Sequence, residues 1–210
     1  MIGLALSYGF VFTVIALSAV LHNRKVLNDE GARKFIHIGV ANWWLLAMVV
    51  FAGEPFWMAA IPPATFIVLN YLSYRYHLVR AMERETKTTG DLGTVYYAIS
   101  LFIIAFFAFY FDITRIGALA ILIMGYGDGF AAIVGKAVNS TLLRPGKTVA
   151  GTVTMVTVSL IIGVVLFPPT AWVFIVLIAL AAGLVELLTP RGFDNVTVPF
   201  AVFMMGVLLL

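Results

Sequence analysis

Eight runs of nearly unbroken apolar residues make up most of this chain: Ile2 to Leu21, Phe35 to Phe51, Phe56 to Tyr74, Leu92 to Phe111, Ile113 to Ala137, Thr148 to Phe167, Ala171 to Leu188 and Val196 to Leu210. A helix crosses the hydrocarbon core of a bilayer with about 20 such residues, so each run is the length of a membrane span, the last one short. A β-barrel would need short segments of alternating polarity, which these runs lack. The expected fold is therefore all-α: a polytopic transmembrane helical bundle of about eight spans, with residues 1–210 as a single domain. The remaining residues agree. With 62% hydrophobic and 11% charged residues among 210, the chain cannot cover itself with the polar surface a soluble domain requires. Ile2 to Leu21 lacks a preceding basic region and a following small-residue cleavage site, so it reads as a retained span.

The basic residues orient the bundle. Arg24, Lys25, Arg33, Lys34, Arg75, Arg80, Arg84, Lys87, Lys136, Arg144, Lys147 and Arg191 fall in alternate connections on one face, leaving Arg115 for the other. The positive-inside rule makes that face cytoplasmic, and an even number of spans then leaves both termini non-cytoplasmic. The formal charge of +3 follows from this anchoring and calls for no nucleic acid partner. The absence of cysteine excludes disulfides, thiolate metal sites and a cysteine nucleophile. Tyr96, Tyr97 and the four tryptophans are expected at the membrane interface, and Asn42 and Asn70 as hydrogen-bonders between helices. His22 and His77 read as interfacial residues.

Acids on a basic membrane face are the misfits, and they mark the candidate site. The segment from Gly125-Tyr126-Gly127-Asp128-Gly129 to Lys136 ends the fifth run, and on a helix its Asp128 shares a face with Ala131, Ala132 and Gly135. Small residues of this kind pack helices closely, which accounts for the stripe but not for the carboxylate. An acid at the mouth of a bilayer has to meet a cation, a metal or water. Farther along, Lys147-Thr148-Val149-Ala150-Gly151-Thr152 opens the sixth run. Unpaired amides at a helix start, beside a lysine and two hydroxyls, suit phosphate; a snorkelling anchor and a helix-start hydroxyl are the plain alternative. The Gly146-Lys147-Thr148 triplet is not a P-loop, because Thr141 stands where the first glycine belongs and no strand-forming run precedes it. Glu186, Asp194 and Asn195 offer oxygen ligands suited to Mg²⁺, or else the acids pair locally with Arg191. Arg33 and Lys34 suit phosphates, and His37, one turn from Arg33, is either structural or an acid, base or hydrogen-bond donor.

Taken together, Arg33-Lys34-x-x-His37, Gly127-Asp128-x-x-Ala131-Ala132-x-x-Gly135, Lys147-Thr148-x-x-Gly151-Thr152 and Glu186 with Asp194-Asn195 and Pro199 resemble the CTP-dependent lipid-alcohol kinases. That family includes phytol kinase, dolichol kinase and the yeast-type diacylglycerol kinase, with phosphatidate cytidylyltransferase more distant. Asn139 departs from the family's further glycine, and Ala150 stands where dolichol kinases and cytidylyltransferases carry Glu. The resemblance implies a multi-pass cell-membrane enzyme with a cytoplasmic site that moves the γ-phosphate of CTP, with Mg²⁺, to an isoprenoid alcohol or diacylglycerol. It implies catalytic roles for Asp128, Lys147 and Asp194 and metal ligation by Asp128, Glu186 and Asp194. Nucleotide contacts would fall to Arg33, Lys34, His37, Ala131, Gly135, Thr148, Gly151, Thr152 and Asn195. A cytidylyltransferase making CDP-diacylglycerol is the alternative. A small-solute transporter fits less well, because the ionisable groups gather at one surface rather than at mid-span.

Overall fold

The computed structural model describes residues 1–76, 92–190 and 192–210. His77, Arg80, Arg84, Lys87 and Arg191, the expected local partner of the acids, lie outside them.

Among the described residues the chain is a bundle of helices: α1 (Ile2–Asn23), α2 (Asp29–Ala41), α3 (Trp43–Val50), α4 (Trp57–Tyr76), α5 (Gly93–Tyr110), α6 (Thr114–Leu122), α7 (Gly129–Ala137), α8 (Val149–Leu166), α9 (Trp172–Leu188) and α10 (Asp194–Leu209). Five helical stretches are long and apolar enough to cross a membrane: Ile2–Asn23, Gly93–Tyr110, Thr114–Ala137, Val149–Leu166 and Pro169–Leu188. Asp194–Leu209 is a shorter apolar helix. The two termini sit at the end of the bundle away from Asp128. Gly3 packs on Phe51 at the end of α3, and Gly206 packs on Ile116 at the start of α6.

Local chemistry sets the element boundaries. Asn28 caps α2 by accepting from the Gly31 amide at 2.8 Å, and Asp29 and Glu30 in the first turn complement the helix dipole. The second apolar run, expected as one helix from Phe35 to Phe51, begins earlier at Asp29 and breaks at Asn42. There the Asn42 amide donates to the Ile38 carbonyl and accepts from the Tyr126 hydroxyl at 2.9 Å, tying the break to the neighbouring span. That hydrogen bond and the one from Asn70 Nδ2 to the Thr94 carbonyl, 2.9 Å, make both asparagines inter-helix links, as their burial in an apolar bundle requires.

The fifth run is one continuous rod with a change of pitch. Residues Ile123–Asp128 form a π-helical turn between α6 and α7. Such wide turns insert one extra residue into the helical ladder and recur at functional sites. α4 carries Pro62 and Pro63 inside it, each removing a backbone donor from the helix ladder.

One connection carries structure that the apolar runs do not announce. Leu142–Arg144 and Lys147–Thr148 form a two-stranded antiparallel hairpin, β1 and β2, in which Arg144 pairs with Lys147. Pro145-Gly146 makes the turn, with Gly146 at φ +74°, a conformation glycine adopts without the penalty a side chain brings. The aromatic expectation also needs correction. Tyr97, Trp43 and Trp44 are buried in the core, while Trp57 and Trp172 are exposed as interfacial residues would be. Trp44 donates from Nε1 to the Thr114 carbonyl at 3.0 Å, so its polar edge is satisfied inside the bundle.

Candidate active site

Two clusters of buried charge meet at the end of the bundle where α2, α7, α9 and α10 converge. In the first, Asp128 closes the wide turn and faces α2. Lys34 Nζ donates to Asp128 Oδ2 at 2.6 Å and to the Asp128 carbonyl at 3.3 Å. His37, one turn on, places Nε2 at 3.2 Å from the Met124 carbonyl and 3.3 Å from Asp128 Oδ2. Since that carbonyl only accepts, Nε2 carries the proton in this hydrogen bond. Tyr97 holds the backbone of the same residue, its hydroxyl donating to the His37 carbonyl at 3.1 Å with the rings 4.5 Å apart.

In the second cluster, Lys147 leaves β2 and enters between two carboxylates. It bonds Glu186 and donates to Asp194 Oδ2 at 3.1 Å. Asp194 Oδ1 accepts from the amides of Gly192 and Asn195 at 3.0 and 3.1 Å, which fixes the carboxylate at the start of α10. Burial works against a charged Lys147, but Asp194 and then Glu186 outweigh it and push its ammonium above the usual lysine range.

The two clusters form one site. One carboxylate oxygen each from Asp128, Glu186 and Asp194 lies within 4.8 Å of the others, and all three residues are buried. Hard oxygen donors this close suit a divalent cation such as Mg²⁺, which is bound through few carboxylates together with phosphate oxygens. Counted formally, three carboxylates against two ammoniums leave one negative charge, which a divalent ion would reverse and make attractive to phosphate.

Other expected residues fall elsewhere. Arg33 is paired with Glu30, which also meets Lys136 at 3.1 Å. Partial burial disfavours the charged form of Glu30, but Arg33, Lys136 and Lys34 together hold its carboxyl below the usual range. The start of α8 is not the row of unpaired amides expected from its sequence. The Val149 amide donates to the Thr141 carbonyl, that of Ala150 to Ser140 Oγ, and that of Gly151 to Thr148 Oγ1. The hairpin and the loop before it supply those acceptors, so this helix start is capped from within the chain.

Ala131, Gly135 and Gly151 form the seam between α7 and α8. A Cβ on Gly135 would lie 2.9 Å from Thr148 Oγ1, and one on Gly151 would lie 3.0 Å from the Ala131 carbonyl oxygen. The partner that approaches the small-residue stripe is thus α8 itself. Thr152 Oγ1 and Asn195 Oδ1 are buried without a hydrogen-bond partner among the described residues. Asn195 Nδ2 donates to the Gly93 carbonyl at 2.9 Å, and Ser100 Oγ to the Asn195 carbonyl at 2.7 Å, so α5 locks the start of α10.

Sequence reasoning missed Tyr97 and Glu30. Tyr97 carried only the signal of an aromatic at a span end. Glu30, three residues before Arg33, had the spacing of a helical ion pair.

Comparison with known proteins places this geometry. The chain is 31% identical over 214 residues to the phytol kinase of Synechocystis, covering 94% of this chain and 86% of that one. It is 27% identical to phytol kinase 1 of Arabidopsis thaliana, over 92% of this chain and 71% of the relative. It is 26% identical to a probable phytol kinase of Triticum aestivum, over 94% and 73% of the two chains. No family model matches, and no solved structure matches. Likeness of this degree along almost the whole chain, over a bundle that gathers three carboxylates and two lysines at one end, means that the chain belongs to the phytol kinase family of lipid-alcohol kinases.

Proposed function

We propose that this protein transfers the γ-phosphate of CTP to the hydroxyl of a membrane-dissolved isoprenoid alcohol of the phytol kind, releasing CDP. The observation that carries the reading is the buried meeting of Asp128, Glu186 and Asp194 with Lys34 and Lys147, brought together from distant parts of the chain. CTP as donor rests on the resemblance of the motifs, and the acceptor on the named relatives.

Phosphoryl transfer asks a protein for positioning and charge neutralisation more than for covalent chemistry. The alcohol oxygen bonds to the γ-phosphorus, the bond to the β,γ-bridging oxygen breaks with its electrons on CDP, and the hydroxyl proton passes to the Asp128 carboxylate. Lys34 and Lys147, each held by a carboxylate in this structure, turn to the phosphates when nucleotide binds. Thr148 and Thr152 border the same end of the bundle and complete the nucleotide contacts, with Arg33 joining them if it leaves Glu30. Glu186 and Asp194 would hold Mg²⁺, with Asp128 either a third ligand or the acceptor of the hydroxyl proton, and the ion when bound supplies charge neutralisation for the phosphates.

In the membrane, the five long apolar helices, the α2–α3 pair, α4 and α10 make eight passes, with the site on the cytoplasmic side and both termini opposite. Nucleotide then arrives from water and alcohol from lipid.

The test is purified protein with γ-labelled CTP or ATP, Mg²⁺, and phytol, geranylgeraniol, polyprenol or diacylglycerol. Labelled isoprenyl phosphate formed from CTP is expected. No labelled lipid phosphate from any acceptor would overturn the reading, as would release of pyrophosphate with phosphatidate as the sole productive acceptor.

A further inference from the structure

Beside the charged site, α1, α2, α4 and α5 enclose a cavity of about 760 Å³, counting the part open to the outside. Its lining is graded along each helix. On α2 it runs from Arg33 and His37 to Val40, and beyond the break to Trp43. On α5 it runs from Thr94 and Tyr97 to Ala98 and Leu101. On α4, which points the other way, Asn70 lies nearest the charged end, followed by Phe66 and the Pro62-Pro63 pair. α1 contributes only the apolar Ile15 and Val11. At 1.5 Å per residue, the span from Arg33 to Trp43 is roughly 15 Å and that from Gly93 to Leu101 roughly 12 Å.

The polar end of this cavity adjoins the acids. His37, which lines it, is 3.3 Å from Asp128 Oδ2, and Asn195, which also lines it, follows Asp194 in the chain. A cavity that is polar at the charged site and apolar for the rest of its depth matches an amphiphile with one small head and one hydrocarbon tail.

We infer that this cavity holds the hydrocarbon chain of the acceptor, a single-chain isoprenoid alcohol, with its hydroxyl at His37 and Asn195 and its tail running between α2, α4 and α5 toward Trp43. The inference rests on the lipid-alcohol kinase reading. The single chain follows from the phytol kinase relatives, and the cavity offers it one continuous apolar run past Val40, Phe66 and Leu101 to Trp43. The paired prolines in its wall suit the occupant, since a ladder already interrupted there leaves α4 less regular where the tail passes.

Two experiments test this. Val40→Phe and, independently, Ala98→Leu narrow the apolar part, and the kcat/KM ratio of geranylgeraniol to geraniol is expected to fall by at least about tenfold in each. Val153→Phe, on the exposed outer face of α8, is the control and is expected to leave that ratio unchanged. An unchanged ratio in both narrowing variants, with the wild type active on the alcohols, overturns the tail site and leaves the kinase reading intact. In the second experiment, a geranylgeraniol analogue with a diazirine in its tail is photolysed with the wild type. Labelling of α2, α4 and α5 at cavity residues, displaced by unlabelled geranylgeraniol, is expected even if the chemistry were other than proposed. Labelling confined to lipid-facing residues, unaffected by competitor, would overturn the inference.

Discussion

Replacing Asp128 by Asn separates the structural task of this carboxylate from the catalytic one proposed for it. Lys34 and Asp128 are 2.6 Å apart, with side chains only 5% and 12% exposed, so neither charge has water to fall back on. Removing one partner of such a pair costs about 3–5 kcal/mol, because the other is left charged and buried. That is a large share of a typical total stability of about 5–15 kcal/mol. Asp128→Asn is therefore expected to lower the unfolding midpoint in detergent sharply and to reduce phosphoryl transfer at least about 100-fold. The loss of activity alone would be ambiguous. Adding Lys34→Met removes the orphaned ammonium, so the Asp128→Asn/Lys34→Met protein is expected to regain most of the lost stability and none of the activity. Thermal unfolding followed by tryptophan fluorescence, beside the transfer assay, reads both quantities. Recovery of activity with stability in the double variant would refute both a catalytic Asp128 and a phosphate-binding Lys34, and the Lys34→Met single variant, which keeps Asp128, measures the share of the loss that belongs to the lysine. An Asp128→Asn protein as stable as the wild type would refute the buried pair as the source of the cost.

Chelation with EDTA is expected to abolish transfer and millimolar Mg²⁺ to restore it. Saturating Mg²⁺ is also expected to raise thermal stability, by about 2.7 kcal/mol at a concentration 100 times Kd, and Glu186→Gln to remove that gain. Lys147, with its ionisation raised, contributes stability fully below the ordinary lysine range and loses it progressively as pH rises from there through the raised value. Wild type and Lys147→Arg should therefore show parallel stability profiles from neutral to mildly alkaline pH; a fall in the wild type alone within that window would contradict the pairing. Gly151→Val places a branched side chain 3.0 Å from the Ala131 carbonyl, which is expected to cost about 1–3 kcal/mol and to displace β2 with Lys147, seen as lost activity exceeding that of a comparable change on the outer face of α8.

Much of the bundle was legible from the apolar runs, because lipid imposes helix on any long apolar segment and the lengths follow. α1, α5, α8 and α9 begin and end within two residues of where the runs do. The three acids stood out for a related reason: carboxylates on a basic membrane face need partners, and the chain offers few. What stayed hidden was pairing. Nothing in Arg33-Lys34-x-x-His37 says that Lys34 reaches Asp128 while Arg33 turns to Glu30, since that depends on how α2 rotates against a span 94 residues away. The capped start of α8 was hidden too, because its acceptors, Ser140 and Thr141, lie in a loop whose course the hairpin decides. The Asn42 break and the wide turn at Ile123–Asp128 were hidden as well, because an asparagine or a Gly-Tyr-Gly-Asp stretch inside an apolar run does not say how the backbone turns there.

That wide turn works as a phase shifter within a single span. α6 must present Thr114 to Trp44, and α7 must present Ala131 and Gly135 to α8, two neighbours that an uninterrupted helix of 3.6 residues per turn would meet at angles fixed by residue count alone. One extra residue in the turn rotates everything after it by about 100°, which aims the Asp128 carboxylate at α2 while α6 keeps its own contacts. A one-residue deletion anywhere in Ile123–Asp128 would leave the span apolar, helical and long enough to cross the bilayer, yet with its two halves out of phase. The length of this helix is tolerant; its angular bookkeeping is not.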